Sequence, residues 1–206
     1  MRSTIWKTPL AVIRMSLGTG AEAIDVASRS RLVRAVADIN AIVERCLQTD
    51  RLEHGRIEVE QSACNPGDVL RQVVSACSEP ARVRFDAGLL PDCVTDKQLL
   101  SVILTNLIDN AIKYGVTDTA IDITAEPVAR VEQAGLTIVI ANLPGTAGMP
   151  DPQQVFHRYY RAPGAHSKTG SGLGLHVAEG LARMLGGKLS YRPEAGTVKF
   201  ALWIPL

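Results

Sequence analysis

The sequence is poor in the residues that build several common kinds of site. Its four cysteines, Cys46, Cys64, Cys77 and Cys93, form no CxxC pair, and no histidine stands at metal-ligand spacing from them. That pattern excludes a zinc finger or ribbon and predicts reduced, structural thiols in a cytosolic protein. Aromatic residues make up only 4% of the 206 residues, while 46% are hydrophobic. The core is therefore built from Leu, Ile, Val and Ala, as in helical bundles and α/β layers. The formal net charge is +1. Without a basic surface, no nucleic-acid partner is expected. No apolar run approaches the roughly 20 residues that a bilayer-spanning helix needs. No signal peptide is visible. The chain is expected to be soluble, alone or as the soluble part of something larger.

What is present falls into two halves. Residues 8 to about 54 read as helix, interrupted at Gly18, Thr19 and Gly20. Leu32, Val36, Ile39, Val43 and Cys46 recur at steps of four and three, a heptad seam. Two such helices make an antiparallel hairpin, which cannot bury both faces of its seam alone. A homodimeric four-helix bundle is the expected solution. RIEVEQSACN then alternates like a half-buried strand. Asn65-Pro66-Gly67-Asp68 opens a short helix, and VRFDAG and DCVTD read as short strands. A long apolar helix follows, with Asp96 as its N-cap and Gly115 as its stop. Residues 120–142 predict a hairpin, residues 143–171 a loop, GLGLHVAEGLARMLGG a helix, and the last nineteen residues a final hairpin. The order predicts two domains, residues 1–62 and 63–206.

Three stretches of the second half combine polar groups with apolar scaffolding. In NLIDNAIKYG, Asn106 and Asn110 lie four apart on one helix face, with Asp109 and Lys113 on a neighbouring stripe. Amides in so apolar a helix need partners, which backbone, solvent or a ligand can supply. In GSGLGL, Gly170, Gly172 and Gly174 precede an apolar helix. Glycines let a backbone approach a phosphate, and the N–H groups of a helix start point at the anion, although a tight turn has the same composition. In IVIANLPG, Asn142 ends a strand on the face of Ile138 and Ile140. It suits either a turn or a polar contact to the edge of a base.

Taken in order, the Asn-x-x-x-Asn helix, the strand ending in Asn142, the island VFHRYYRA and the GxGLGL helix start resemble the ATP-binding domain of sensor histidine kinases. That domain has a two-layer α/β sandwich of the GHKL ATPase type, shared with gyrase- and Hsp90-type proteins. The N-terminal hairpin, ending TDRLEHGRIEVE, resembles the dimerisation and histidine-phosphotransfer domain of the same kinases. The resemblance implies ATP and Mg²⁺ as cofactors, a response-regulator receiver domain as partner, and a homodimer through the hairpin. It implies a cytoplasmic chain whose only membrane contact is a sensor region outside it. By residue, it implies Asn110 on Mg²⁺ and Asn106 facing the same pocket. Lys113 would meet the phosphates, and Tyr114 would pack near ribose and base. Asn142 would accept from the adenine amino group, where the family usually has aspartate. Gly170, Gly172, Leu173 and Gly174 would form the phosphate turn, with Arg161 in contact range. Phe156 and Tyr159 would dock a mobile lid of residues 145–171. His176, which follows GLGL, is expected to pack or bond locally. A GHKL serine kinase, and a non-catalytic pseudokinase or phosphotransfer adaptor, are the alternatives.

The first helix departs from the family. Lys7, Thr8, Pro9 and Leu10 match its histidine box, but Thr4 stands where the phosphoacceptor histidine belongs and Ile5 where the acidic residue belongs. A threonine hydroxyl beside isoleucine has no base to take its proton. Three readings stay open: a native box replaced at the start of the chain, a pseudokinase that signals by conformation, or retention of the reverse reaction alone. The resemblance associates Thr8 with positioning the water that dephosphorylates a regulator. Incubation with the phosphorylated regulator should therefore speed its loss of phosphate, and Thr8→Ala should remove the acceleration. A decay rate indifferent to the chain or to Thr8 would discard this reading.

Overall fold

Alternation within residues 121–128, 135–142 and 198–205 sets the architecture, because alternate side chains of a strand face opposite sides of its sheet. The computed structural model describes residues 57–85, 88–129, 133–165, 168 and 170–206. Its strands are β1 (Ser62–Cys64), β2 (Val83–Phe85), β3 (Cys93–Thr95), β4 (Ile121–Val128), β5 (Gly135–Asn142), β6 (Lys188–Tyr191) and β7 (Val198–Pro205). Its helices are α1 (Pro66–Ala76), α2 (Lys97–Tyr114) and α3 (Gly174–Met184). Five strands form one sheet in the order β2-β4-β5-β7-β6, and β1 pairs with β3 apart from it. Only β2 runs parallel to its neighbour; the other pairs are antiparallel.

The register places apolar side chains in rows. Ile123, Ile140 and Phe200 lie side by side, as do Ala125, Ile138 and Leu202. Ile138, Ile140 and Leu202 are almost wholly buried, whereas Asp122 and Thr124 between the inward positions of β4 are exposed. α2 supplies the other side of the core through Leu100, Ile103, Leu104, Leu107 and Ile108. α3 joins them with Val177, Ala178 and Leu181. The described part is thus a two-layer α/β sandwich, as the sequence predicts. The helical hairpin, its Gly18–Gly20 break, heptad seam and dimer face lie outside the described residues, together with Thr4, Thr8, Cys46, His54 and His166.

One expectation fails in part. RIEVEQSACN alternates throughout, but only Ser62–Cys64 is strand. Ile57 and Val59 do pack against the core, so the alternation reports burial. The ladder stops because its partner β3 is three residues long and gives way to the cap of α2. Glu60 N instead donates to Asp96 Oδ2 at 2.9 Å. The other oxygen of Asp96 accepts from Gln98 N at 2.9 Å and Leu99 N at 3.0 Å. One buried carboxylate therefore starts α2 and holds the incoming chain. Asp96→Ala leaves all three N–H groups without their acceptor, and should cost roughly 2–4 kcal/mol in urea unfolding. Asp96→Asn keeps one oxygen for the cap and should cost less. An unchanged unfolding midpoint for the alanine variant would contradict this account.

Candidate functional site

A cavity of about 380 Å³ opens between the C-terminal half of α2, the loop after β5 and the start of α3. Nine of the ten residues expected around a nucleotide line it: Asn106, Asn110, Lys113, Tyr114, Asn142, Arg161, Gly170, Gly172 and Gly174. Leu173 is the exception. Its side chain is wholly buried in the core, and it serves as the N-cap position of α3 through its main chain.

The helical period explains how α2 presents its polar groups. Asn106 Nδ2 donates to the Val102 carbonyl at 2.9 Å, the local backbone bond open to a mid-helix amide. Its Oδ1 faces α3, where a Cβ on Gly174 would come within 2.8 Å. Glycine at that position lets the first turn of α3 abut the amide. Asn110, one turn later, is half-buried, and its side chain has no protein hydrogen bond among the described residues. Lys113 Nζ lies 5.4 Å from the centre of the Tyr114 ring. A Cβ on Gly170 would come within 2.7 Å of that ammonium group. Asp109, placed by sequence on a neighbouring stripe, also lines the cavity. Its position next to Asn110, only about 100° round the helix, was the signal for this.

Asn142 stands in a row with Ile121 and Val198 on the inner face of the sheet and is 5% exposed. Its Nδ2 donates to the Leu143 carbonyl at 3.0 Å, an orientation that leaves Oδ1 as the free acceptor. The loop that follows is tied to the end of α2. Val116 N donates to Leu143 O at 3.0 Å and Gly145 N to Tyr114 O at 2.8 Å. Proline at 144 suits this loop, since no N–H is asked of it. Gly145 is required, because a Cβ there would lie 2.7 Å from the Gly115 carbonyl.

Part of the segment expected to form the lid packs on the core. Val155 is buried in the core, and Phe156 meets Phe200 edge-on at 6.2 Å. His176 Nδ1 lies 3.1 Å from the Phe156 carbonyl, a contact across twenty residues rather than a local bond. The docked tyrosine is Tyr160, not Tyr159. Tyr160 packs on the core, and its hydroxyl accepts from Asp151 N at 2.8 Å. Tyr159 is exposed under the Arg158 guanidinium. It is turned outward because its N–H donates to Gly172 O at 3.0 Å from a left-handed conformation, φ 62°. Gly172 has φ 69°, and a Cβ there would strike Tyr159 at 2.7 Å, so the two segments fit only with glycine. Arg161 is expected at phosphates. In the structure its guanidinium donates to the carbonyls of Ala165 and Lys168, while its Nε is buried without a partner. Sequence reasoning missed Ala147, Gly148, Pro150, Ala162 and Ala165, which also line the cavity. They are small residues in a loop, and only Gly148, at φ 71°, carries a local signal.

The helix starts differ in a telling way. The side chains of Asn65 and Asp96 cap α1 and α2. α3 has no side-chain cap and no acidic residue in its first turn. Its N-terminal N–H groups, the positive end of the helix dipole, lie beside the cavity through Gly172 and Gly174.

Comparison with known proteins agrees with this geometry. Residues 95–206 match the family described as histidine kinase-, DNA gyrase B-, and HSP90-like ATPase. The sensor protein CreC of Escherichia coli (strain K12) is 30% identical over 196 residues, which are 90% of this chain and 40% of CreC. The chain thus spans less than half the length of that relative. Among solved structures, the histidine kinase AdeS of Acinetobacter baumannii superimposes with a TM-score of 0.76 at 19% identity, over 97% of this chain and 95% of AdeS. Full-length ShkA in complex with AMPPNP gives 0.69 at 22% identity, over 97% of this chain and 43% of ShkA. The chain therefore belongs to the histidine kinase-, DNA gyrase B- and HSP90-like ATPase family, as an ATPase core of the histidine-kinase type.

Proposed function

We propose that the cavity binds Mg-ATP, and that the chain is the catalytic core of a two-component sensor kinase that exchanges phosphoryl groups with a response regulator. The observation that carries the reading is the uncapped, glycine-lined start of α3 facing Asn110 and Lys113 across one cavity. A triphosphate supplies the negative charge that this helix end lacks. Lys113 adds a cation, and the glycines let main-chain N–H groups reach oxygen atoms directly. Asn142 Oδ1 offers a neutral acceptor to an exocyclic amino group. Among the described residues no cluster of three His, Cys, Asp or Glu side chains could hold a metal unaided. Asn110, which stands where the resemblance puts the magnesium ligand, would hold Mg²⁺, and the ion would neutralise charge on the phosphates. Homodimerisation through residues 1–62 and a cytoplasmic setting belong to the same reading. Thr4 at the acceptor position favours a second reading for this chain, an ATP-binding protein without self-phosphorylation.

Nucleotide titration tests the site. ATP should bind in the presence of Mg²⁺, and removal of Mg²⁺ should weaken it at least tenfold. Asn110→Ala should erase that Mg²⁺ dependence while leaving the thermal midpoint of the free protein unchanged. A wild-type chain with no affinity for ATP in the presence of Mg²⁺ would overturn the proposal in favour of an adaptor.

A further inference from the structure

β1 and β3 place Ser62 opposite Thr95, Ala63 opposite Val94 and Cys64 opposite Cys93. Directly opposed residues of an antiparallel pair have Cα atoms roughly 4.5–5.5 Å apart, inside the range that a disulfide spans. Ala63 and Val94 are exposed, so the alternation turns both cysteines toward the protein. Cys93 is buried and Cys64 is half-buried. Their neighbours are already locked together. Asn65 Nδ2 donates to Asp92 Oδ1 and to the Leu90 carbonyl, each at 2.9 Å. The strand register therefore sets the two cysteines directly opposite each other in the native fold.

We infer that Cys64 and Cys93 form a reversible redox site, a cross-strand disulfide made by exchange with small disulfides of the oxidised-glutathione class. The half-exposed Cys64 reacts first. Its thiolate attacks the small disulfide, forms a mixed disulfide and releases one small thiol. Cys93, as thiolate, then attacks Cys64 Sγ and expels the second small thiol. One S–S bond is broken and one formed; the two cysteines lose two electrons, and their protons end on the two released thiols. Burial, then the neighbouring Cys64, then the charge of Asp92 push the Cys93 thiol up to about 12. Burial also withholds Cys93 from a small disulfide in solution, which leaves it for the second step, when the attacked sulfur belongs to its neighbour Cys64.

The bond has a structural consequence. A two-stranded ribbon is marginal on its own, and this one joins the segment before α1 to the strand that runs into α2. The disulfide closes a loop containing α1 and β2 and makes that junction covalent. The inference is independent of the nucleotide reading.

The test is equilibration of the whole chain in oxidised and reduced glutathione, alkylation of remaining thiols, and non-reducing peptide mapping by mass spectrometry. The expected product is a linked peptide pair containing Cys64 and Cys93, reversed by reductant. It should persist in the Cys46→Ser/Cys77→Ser double variant and vanish in Cys64→Ser and in Cys93→Ala. The oxidised double variant should melt roughly 5–10 °C above its reduced form. A lasting glutathione adduct on Cys64 with Cys93 still alkylated would overturn the inference. So would a bridge to Cys46 or Cys77, or no oxidation of Cys64.

Discussion

The Asp96 carboxylate accepts two N–H groups of the first turn of α2 and a third from Glu60. A helix rotates about 100° per residue, so fixing its first turn fixes the direction of every later side chain. From that origin Leu100, Leu104, Leu107 and Ile108 fall against the sheet and α3. The same phase delivers Asn106, Asn110 and Lys113 to the cavity. A shift of one residue would turn the amides into the apolar layer and a leucine into the cavity. The cap therefore sets the geometry of the site from ten to seventeen residues away in sequence, without touching it.

The second constraint is the close approach of three backbones. The end of α2, the loop after β5 and the start of α3 meet around the cavity, and each meeting passes through glycine. Gly145 lies against the end of α2, Gly172 against Tyr159, and Gly174 against Asn106. These contacts replace side chains with main chain at the cavity wall. They expose N–H and C=O groups at fixed positions, which is what recognition of an anion requires. Beside them, Val155, Phe156 and Tyr160 of the same loop pack on the core.

The sandwich was legible because its signals are periodic. Alternation gave the strands of the large sheet, Asp96 and Gly115 gave the limits of α2, and glycine spacing gave the start of α3. Three features were not legible, each for a tertiary reason. Residues 57–61 alternate but lack a strand partner, a fact fixed by the length of β3. The exchange of Tyr160 for Tyr159 depends on a left-handed residue that docking against Gly172 imposes. The Arg161 bonds to its own loop depend on where residues 165 and 168 return in space. No single-sequence pattern encodes such contacts. The pairing of Cys64 with Cys93 belongs with them, since it rests on register between strands 29 positions apart.

The neutral side chain at Asn142 follows from its surroundings. It sits in an apolar row and donates to the Leu143 carbonyl. A carboxylate there cannot donate, and it would set a desolvated negative charge against that carbonyl oxygen. The amide gives that carbonyl a second donor beside Val116 N and still presents an acceptor. Its hydrogen bond to a ligand is weaker than one from a charged group. Binding strength in the proposed complex must then be concentrated at the other polar groups, Asn110, Lys113 and the uncapped N–H groups of α3. Those contacts are electrostatic and respond to the number of phosphates on the ligand, whereas the Asn142 contact responds only to the base. If the proposed complex forms, a site so divided should separate triphosphate from monophosphate more sharply than one purine from another.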